Sequence, residues 1–255
     1  MKKPSILFVG ESAIVQTFEY KGHDAFSGIR YGNNGHKIVE KMFSRVDHEL
    51  TYIPCHLVPF EFPRTPEELS KFDVVLFSDV GSNTFLLLPE VVKDGTRSPN
   101  LLELVREFVR AGGGFGMIGG YMTFGGMDGK AKWKDTCIEE ILPVSLGCHD
   151  DRKEVPEGAD LTCVPDSHPI LTGMPADLPY ILGYNKVVAK IDAQVLVSYK
   201  NDPIIAVAEY GKGRTLAYTT DCAPHWAPAA MHEWDKYPLL WANIVRWLSR
   251  REQDD

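Results

Sequence analysis

The chain has 255 residues, 44% of them apolar and 24% charged, with a formal net charge of -8. That length buries a sizeable core, and the composition is that of an ordinary globular protein. An acidic chain without a stripe of Lys and Arg is a poor partner for phosphate backbones, which argues against nucleic acid as a ligand.

Met1-Lys-Lys-Pro followed by Ile6-Leu-Phe-Val9 is too short in its apolar part for a signal peptide, and no run reaches the length of a membrane span. A cytoplasmic protein without membrane partners is the expectation. Five scattered cysteines, Cys55, Cys137, Cys148, Cys163 and Cys222, contain no C-x-x-C pair. They fit reduced thiols in a reducing compartment.

In chain order, Ile6 to Val9 is a buried strand that stops at Gly10-Glu11-Ser12. Phe18-Glu-Tyr-Lys-Gly-His-Asp-Ala-Phe26 is a long polar and aromatic loop with His23 as its most reactive member. Long loops on rigid sheets bind something or meet a neighbouring subunit, which leaves a homo-oligomer open. Residues from about Asn34 to Arg45 carry Ile38, Val39, Met42 and Phe43 at helical spacing, and Glu49 to Ile53 is a second strand. A loop through Pro54, Pro59 and Pro63 leads to Thr65-Pro-Glu-Glu68, a helix start. Phe72 to Ser78 is a third strand, ending at Asp79. Leu101 to Ala111 is an amphipathic helix closed by Gly112, and Phe115 to Ile118 is a fourth strand.

The second half is less regular. Asp192 to Ser198 and Ile204 to Glu209 read as adjacent strands, and Gly211-Lys-Gly213 as a tight turn. Arg214 to Thr220 reads as a strand that stops at Asp221. Leu239 to Leu248 is a terminal amphipathic helix. Strands alternating with helices predict an α/β fold, a mostly parallel sheet covered on both faces, in one domain over residues 1–255.

Ligands of such sheets collect beyond the carboxyl ends of the strands, where loops converge and helix amino termini point inward. Glu11, Asp79, Tyr121 and Asp221 each follow a predicted strand and are the first candidates for a small-molecule site. Taken singly, an acid after a strand is more often a cap or a turn former. His225-Trp226, held by Pro224, offers an imidazole beside an aromatic wall. Cys148-His-Asp-Asp151, Cys222 and His225 hold donor atoms, but the familiar zinc spacings are missing and no motif calls for a cofactor. Asp150-Asp-Arg152 with Glu154 reads first as an ion pair fixing a loop, and second as a carboxylate delivered to the site.

The run Gly112-Gly-Gly-Phe-Gly-Met-Ile-Gly-Gly-Tyr, then Ile141-Leu-Pro-Val144, Asp150-Asp-Arg152, Val155-Pro-Glu-Gly158, His168-Pro-Ile-Leu171, Gly183-Tyr-Asn185, Tyr210-Gly-Lys-Gly-Arg214 and Asp221-Cys-Ala-Pro-His-Trp226 resembles the family called putative glutamine amidotransferases. That family is a branch of the class I glutamine amidotransferase-like superfamily, and the resemblance covers nearly the whole chain. It implies a flavodoxin-like sheet, and, in active relatives, a Cys at a strand-to-helix elbow, a later His as base and a Glu two residues beyond it. The elbow falls on Gly119 or Gly120, neither of which carries a nucleophile. The His falls on His225, with Ala227 where the Glu would stand. Two of three roles are empty, so glutaminase chemistry is not expected. Binding of a small polar metabolite by Glu11, Asp79, Gly119, Gly120, Tyr121 and Trp226 remains. The alternative is a noncanonical hydrolase or isomerase for a carbohydrate-like substrate, with His225 as acid or base and Glu11, Asp79 or Asp221 as partner. A displaced pair of Cys222 and His225 is a further, weaker option.

Overall fold

The computed structural model describes residues 3–32 and 35–251. Its thirteen strands are β1 (Ser5–Gly10), β2 (Ile14–Lys21), β3 (Asp24–Tyr31), β4 (Glu49–Ile53), β5 (Val74–Ser78), β6 (Gly114–Ile118), β7 (Val144–Ser145), β8 (Arg152–Cys163), β9 (Asp177–Asn185), β10 (Val188–Ala189), β11 (Gln194–Tyr199), β12 (Asp202–Tyr210) and β13 (Gly213–Tyr218). Nine of them form one sheet in the order β4-β1-β5-β6-β13-β12-β11-β8-β9.

The first five strands of that order pair in parallel, and the last four run antiparallel to their neighbours. The sheet is therefore α/β and mixed, less parallel than the sequence suggests. The parallel strands are buried from end to end, as their unbroken apolar runs require. Alternate side chains of β1 enter different cores. Ile6 and Phe8 pack with Val39, Met42, Leu240 and Ile244, while Leu7 and Val9 pack with Leu101, Val105 and Val109. Those partners come from the helices Gly35–Met42, Tyr237–Leu248 and Leu101–Ala111.

The Leu101–Ala111 helix begins as its sequence dictates: the Asn100 side chain accepts from the Leu102 and Glu103 N–H groups. The first helix is shorter than its periodicity predicts, and its expected start at Asn34 lies outside the described residues. Two further departures matter. β8 and β9 form the outer edge of the sheet, where the sequence offered no clear strand. The segment read as a loop around Phe18 to Phe26 is a β-hairpin of β2 and β3, paired from Ile14 with Tyr31 to Lys21 with Asp24. Among the described residues no helix is long and apolar enough to cross a membrane.

Candidate functional site

The carboxyl ends of β1, β5, β6 and β13 lie side by side, and each delivers one candidate group. β1 closes on Gly10, where an added Cβ would stand 1.8 Å from the Ser78 carbonyl oxygen. Only glycine permits that approach. It lets the Glu11 N–H donate to the Ser78 carbonyl at 2.8 Å. Glu11 and Asp79 both hold a left-handed backbone with φ 46°. Such strain in non-glycine residues gathers where a side chain must be aimed.

Glu11, Asp221 and Cys222 are buried together. The Ser78 hydroxyl donates to Glu11 Oε2 at 2.7 Å, and Cys222 Sγ reaches the same oxygen at 3.5 Å. Asp221 accepts from the Ala223 N–H at 2.9 Å. Burial, followed by the nearby Asp79 charge, pushes the Glu11 carboxyl up to about 7. Burial, then the Glu11 charge, also drives Asp221 well above the usual carboxylate range. Burial raises Asp79 too, opposed by the Met122 and Tyr121 N–H groups and by the charge of His225. The Cys222 thiol is raised by burial and then by the Glu11 and Asp221 charges, the reverse of what activates a thiolate. Donor atoms of Glu11, Asp221 and Cys222 all lie within 4.8 Å of one another. Burial raises all three groups towards their protonated forms, and a divalent cation would have to displace those protons.

The elbow after β6 is closed. A Cβ at Gly119 would meet the Thr219 carbonyl oxygen at 2.2 Å, and one at Gly120 would meet Asp79 Oδ1 at 2.7 Å. Asp79 Oδ1 accepts from the Met122 N–H at 2.7 Å. Backbone donors that follow such a turn ordinarily suit an oxyanion, and here they hold a resident carboxylate.

Two side chains fix the turn from behind. Asn185, buried at the end of β9, accepts from the Gly120 N–H at 3.0 Å and donates to the Gly120 carbonyl and to Asp151 Oδ1. Asp151 accepts from the Gly125 and Gly126 N–H groups at 2.7 and 2.8 Å. Asp150 pairs with Arg152 and accepts from the Asp128 N–H, the loop-fixing role its sequence suggested. Asn185 and Ser78 carried no sequence signal of a site role, although Asn185 stands in one of the quoted motifs.

A second cluster stands at the rim. His225 Nε2 lies 3.1 Å from the Tyr121 hydroxyl and 3.7 Å from Glu154 Oε2. The Trp226 indole N–H donates to the same Glu154 oxygen at 2.9 Å. The imidazole stacks on Trp226 and meets the Tyr121 ring edge-on, while the Arg152 guanidinium covers that ring at 4.7 Å. His225 holds φ 130°. Its carboxylate partner is thus Glu154 of β8. Asp221 accepts from the Ala223 N–H and lies with Glu11 and Cys222, and among the described residues no hydrogen bond or ion pair joins it to His225. Cys222 likewise sits with Glu11 and Ser78, so the structure brings together neither Cys222 with His225 nor the Cys148 run with Cys222.

Beside the strand ends of Glu11 and Asp79 a cleft of about 440 Å³ is lined by Ser12, Ile14, Cys55, His56, Pro59, Asn83 and Thr84. Cys55 donates to the Asp79 carbonyl across 3.6 Å. The cleft therefore adjoins the strand ends that carry Glu11 and Asp79.

Comparison with known proteins agrees with this architecture. Among solved structures, cytoplasmic protein STM3548 from Salmonella typhimurium is similar at 38% identity and a TM-score of 0.90, covering 95% of this chain and 98% of its own. Cytoplasmic protein STM1381 from Salmonella typhimurium LT2 is similar at 35% identity and a TM-score of 0.90, over 96% and 99% of the two chains. A ThuA-like protein from Parabacteroides merdae shares the fold at 12% identity and a TM-score of 0.60, over 97% and 90%. Among curated proteins none matches the sequence. The family described as "Putative glutamine amidotransferase" matches residues 5–250, and the chain belongs to that family.

Proposed function

We propose that this chain is an amidotransferase-like protein without glutaminase activity, which binds a small polar metabolite at the carboxyl end of its sheet. The observation that carries this reading is the contact of Gly120 with Asp79. A nucleophile's side chain would meet the Thr219 carbonyl oxygen at Gly119 or the Asp79 carboxylate at Gly120, and the Met122 N–H that would suit an oxyanion holds that carboxylate instead. Glu11, Asp79 and Asp221 supply acceptors, and Tyr121 and His225 supply a polar aromatic wall backed by the buried Trp226.

A second reading is acid–base chemistry on a carbohydrate-like substrate. The half-exposed His225 imidazole, set between the Tyr121 phenol and the Glu154 carboxylate, favours it. The arrangement of base and orienting acid is present without a nucleophile, which suits proton transfer and not acyl transfer.

The five parallel strands follow the spatial order second, first, third, fourth, fifth in chain order, which supports a flavodoxin-like half with helices on both faces. One sheet joining both halves and a family match over 5–250 support a single domain. The description of both Salmonella relatives as cytoplasmic supports that compartment here, in keeping with five free cysteines.

The test is an NMR titration of the His225 imidazole and the Trp226 indole against panels of polar metabolites and sugars. Saturable shifts that vanish in Tyr121→Phe with Glu154→Gln support the site. A panel that moves neither resonance, under conditions where the fold is intact, refutes it.

A further inference from the structure

The hairpin of β2 and β3 packs on itself and makes no extensive contact with any other element among the described residues. Directly opposed residues of an antiparallel pair share a face, so its register sorts the side chains. Ile14, Gln16, Phe18, Tyr20, Ala25, Ser27 and Ile29 lie on one face. Val15, Thr17, Glu19, Lys21, Asp24, Phe26 and Arg30 lie on the other. The first face is apolar and turned to solvent: Ile14, Phe18, Tyr20 and Ile29 are 54, 62, 76 and 72% exposed.

A two-stranded ribbon with an uncovered apolar face is marginal in water on its own. We propose that this face docks against the same face of a second copy of the chain, giving a symmetric dimer whose contact is the hairpin. Area is adequate. At roughly 200 Å² for a large side chain, the four exposed residues offer about 500 Å² per copy and about 1,000 Å² for the pair, the lower bound of a specific interface.

Charge selects the same occupant. The chain carries -8, yet Glu19, Lys21, Asp24 and Arg30 of the ribbon cancel, and all four lie on the other face. Two copies can therefore approach here without meeting like charges, while the apolar face offers no charge for an ionic partner to recognise. A two-fold axis uses one patch twice, which a self-complementary apolar face allows. Ile14 also lines the cleft beside Glu11 and Asp79, so the contact abuts the candidate site. The inference rests on the hairpin and is independent of what the site binds.

The test is sedimentation equilibrium of the full chain over a concentration series reaching ~100 µM. The wild type is expected to be a dimer. Phe18→Glu combined with Ile29→Glu is expected to weaken it by at least about 100-fold, as loss of a buried interface anchor does. Thr17→Glu, on the other face, is expected to leave it unchanged. Hydrogen exchange of the wild type provides a check that needs no variant: protection of residues 14–31 should rise with protein concentration. A monomeric wild type with concentration-independent exchange overturns the proposal, whatever other molecule proves able to cover the ribbon. So does a dimer that survives both glutamates with its ribbon exchange unchanged.

Discussion

The Asp79 carboxylate fills the space into which a side chain at Gly120 would project, with 2.7 Å between its Oδ1 and the site of a Cβ. Gly120→Ala is therefore expected to destabilise the fold by about 2–3 kcal/mol, the range of an overpacked and conformationally strained position. Asp79→Gly frees the space and accepts the left-handed backbone at residue 79. In the double variant the two costs should fall short of additivity by about 1 kcal/mol or more. Urea denaturation of the four proteins measures this coupling, and strict additivity would refute the contact.

Stability should depend on pH with a definite sign. Glu11 has its carboxyl raised to about 7 in the folded state, against the ordinary carboxylate value in the unfolded chain. The folded protein therefore binds the proton more tightly, and stability is lost as pH rises through that window, from about 4.5 to 7. Asp79 and Asp221 are raised as well and act in the same direction. The denaturant midpoint should be higher at pH 5.5 than at pH 7.5, and Glu11→Gln should flatten the difference because the amide keeps the Ser78 hydrogen bond without a charge. A midpoint that rises with pH over this range would contradict the burial of the acids.

Glu154→Ala should leave the fully buried Trp226 indole N–H without its acceptor. A stability loss of about 1–3 kcal/mol is expected from such an orphaned donor. Glu154→Gln keeps an acceptor and should cost less than half of that. Thermal melts followed by tryptophan fluorescence distinguish the two variants, and equal losses would show that Glu154 acts by bulk charge alone.

Asn185→Ala should loosen the elbow locally. Its amide bonds both the N–H and the carbonyl of Gly120 and reaches Asp151, which in turn holds Gly125 and Gly126. Faster hydrogen exchange confined to residues 119–126 is expected, with a stability cost of about 2–4 kcal/mol for breaking a buried network. Unchanged exchange there would assign the turn's rigidity to other contacts.

Strand ends proved easier to read than the groups that meet them. Glu11 and Asp79 stand immediately after the buried strands β1 and β5, whose apolar runs mark their ends, whereas Asp221 lies beyond β13 after Thr219 and Thr220. β8 and β9 were obscured because Pro156, Gly158 and Pro179 interrupt their alternation, and β8 carries register shifts where it pairs with β9. Glu154 becomes the partner of His225 only through that edge pairing, for which a local pattern gives no sign. The hairpin was missed for a different reason. Its apolar residues face outward on a ribbon with a short turn at Gly22-His23, so the aromatic content of Phe18 to Phe26 resembled an elaborate loop. The closure of Gly119 against Thr219, and of Gly120 against Asp79, depends on strands far apart in sequence, where the missing cysteine alone was legible.

The most direct test of the central claim is incubation with glutamine and, in parallel, with an electrophilic glutamine analogue that traps a reactive thiol, followed by ammonia assay and intact-mass measurement. A closed elbow with Cys222 buried and protonated predicts no enzymatic ammonia release and no stoichiometric adduct on the folded protein. Ammonia released with turnover, together with one adduct mapped to Cys222, would contradict it.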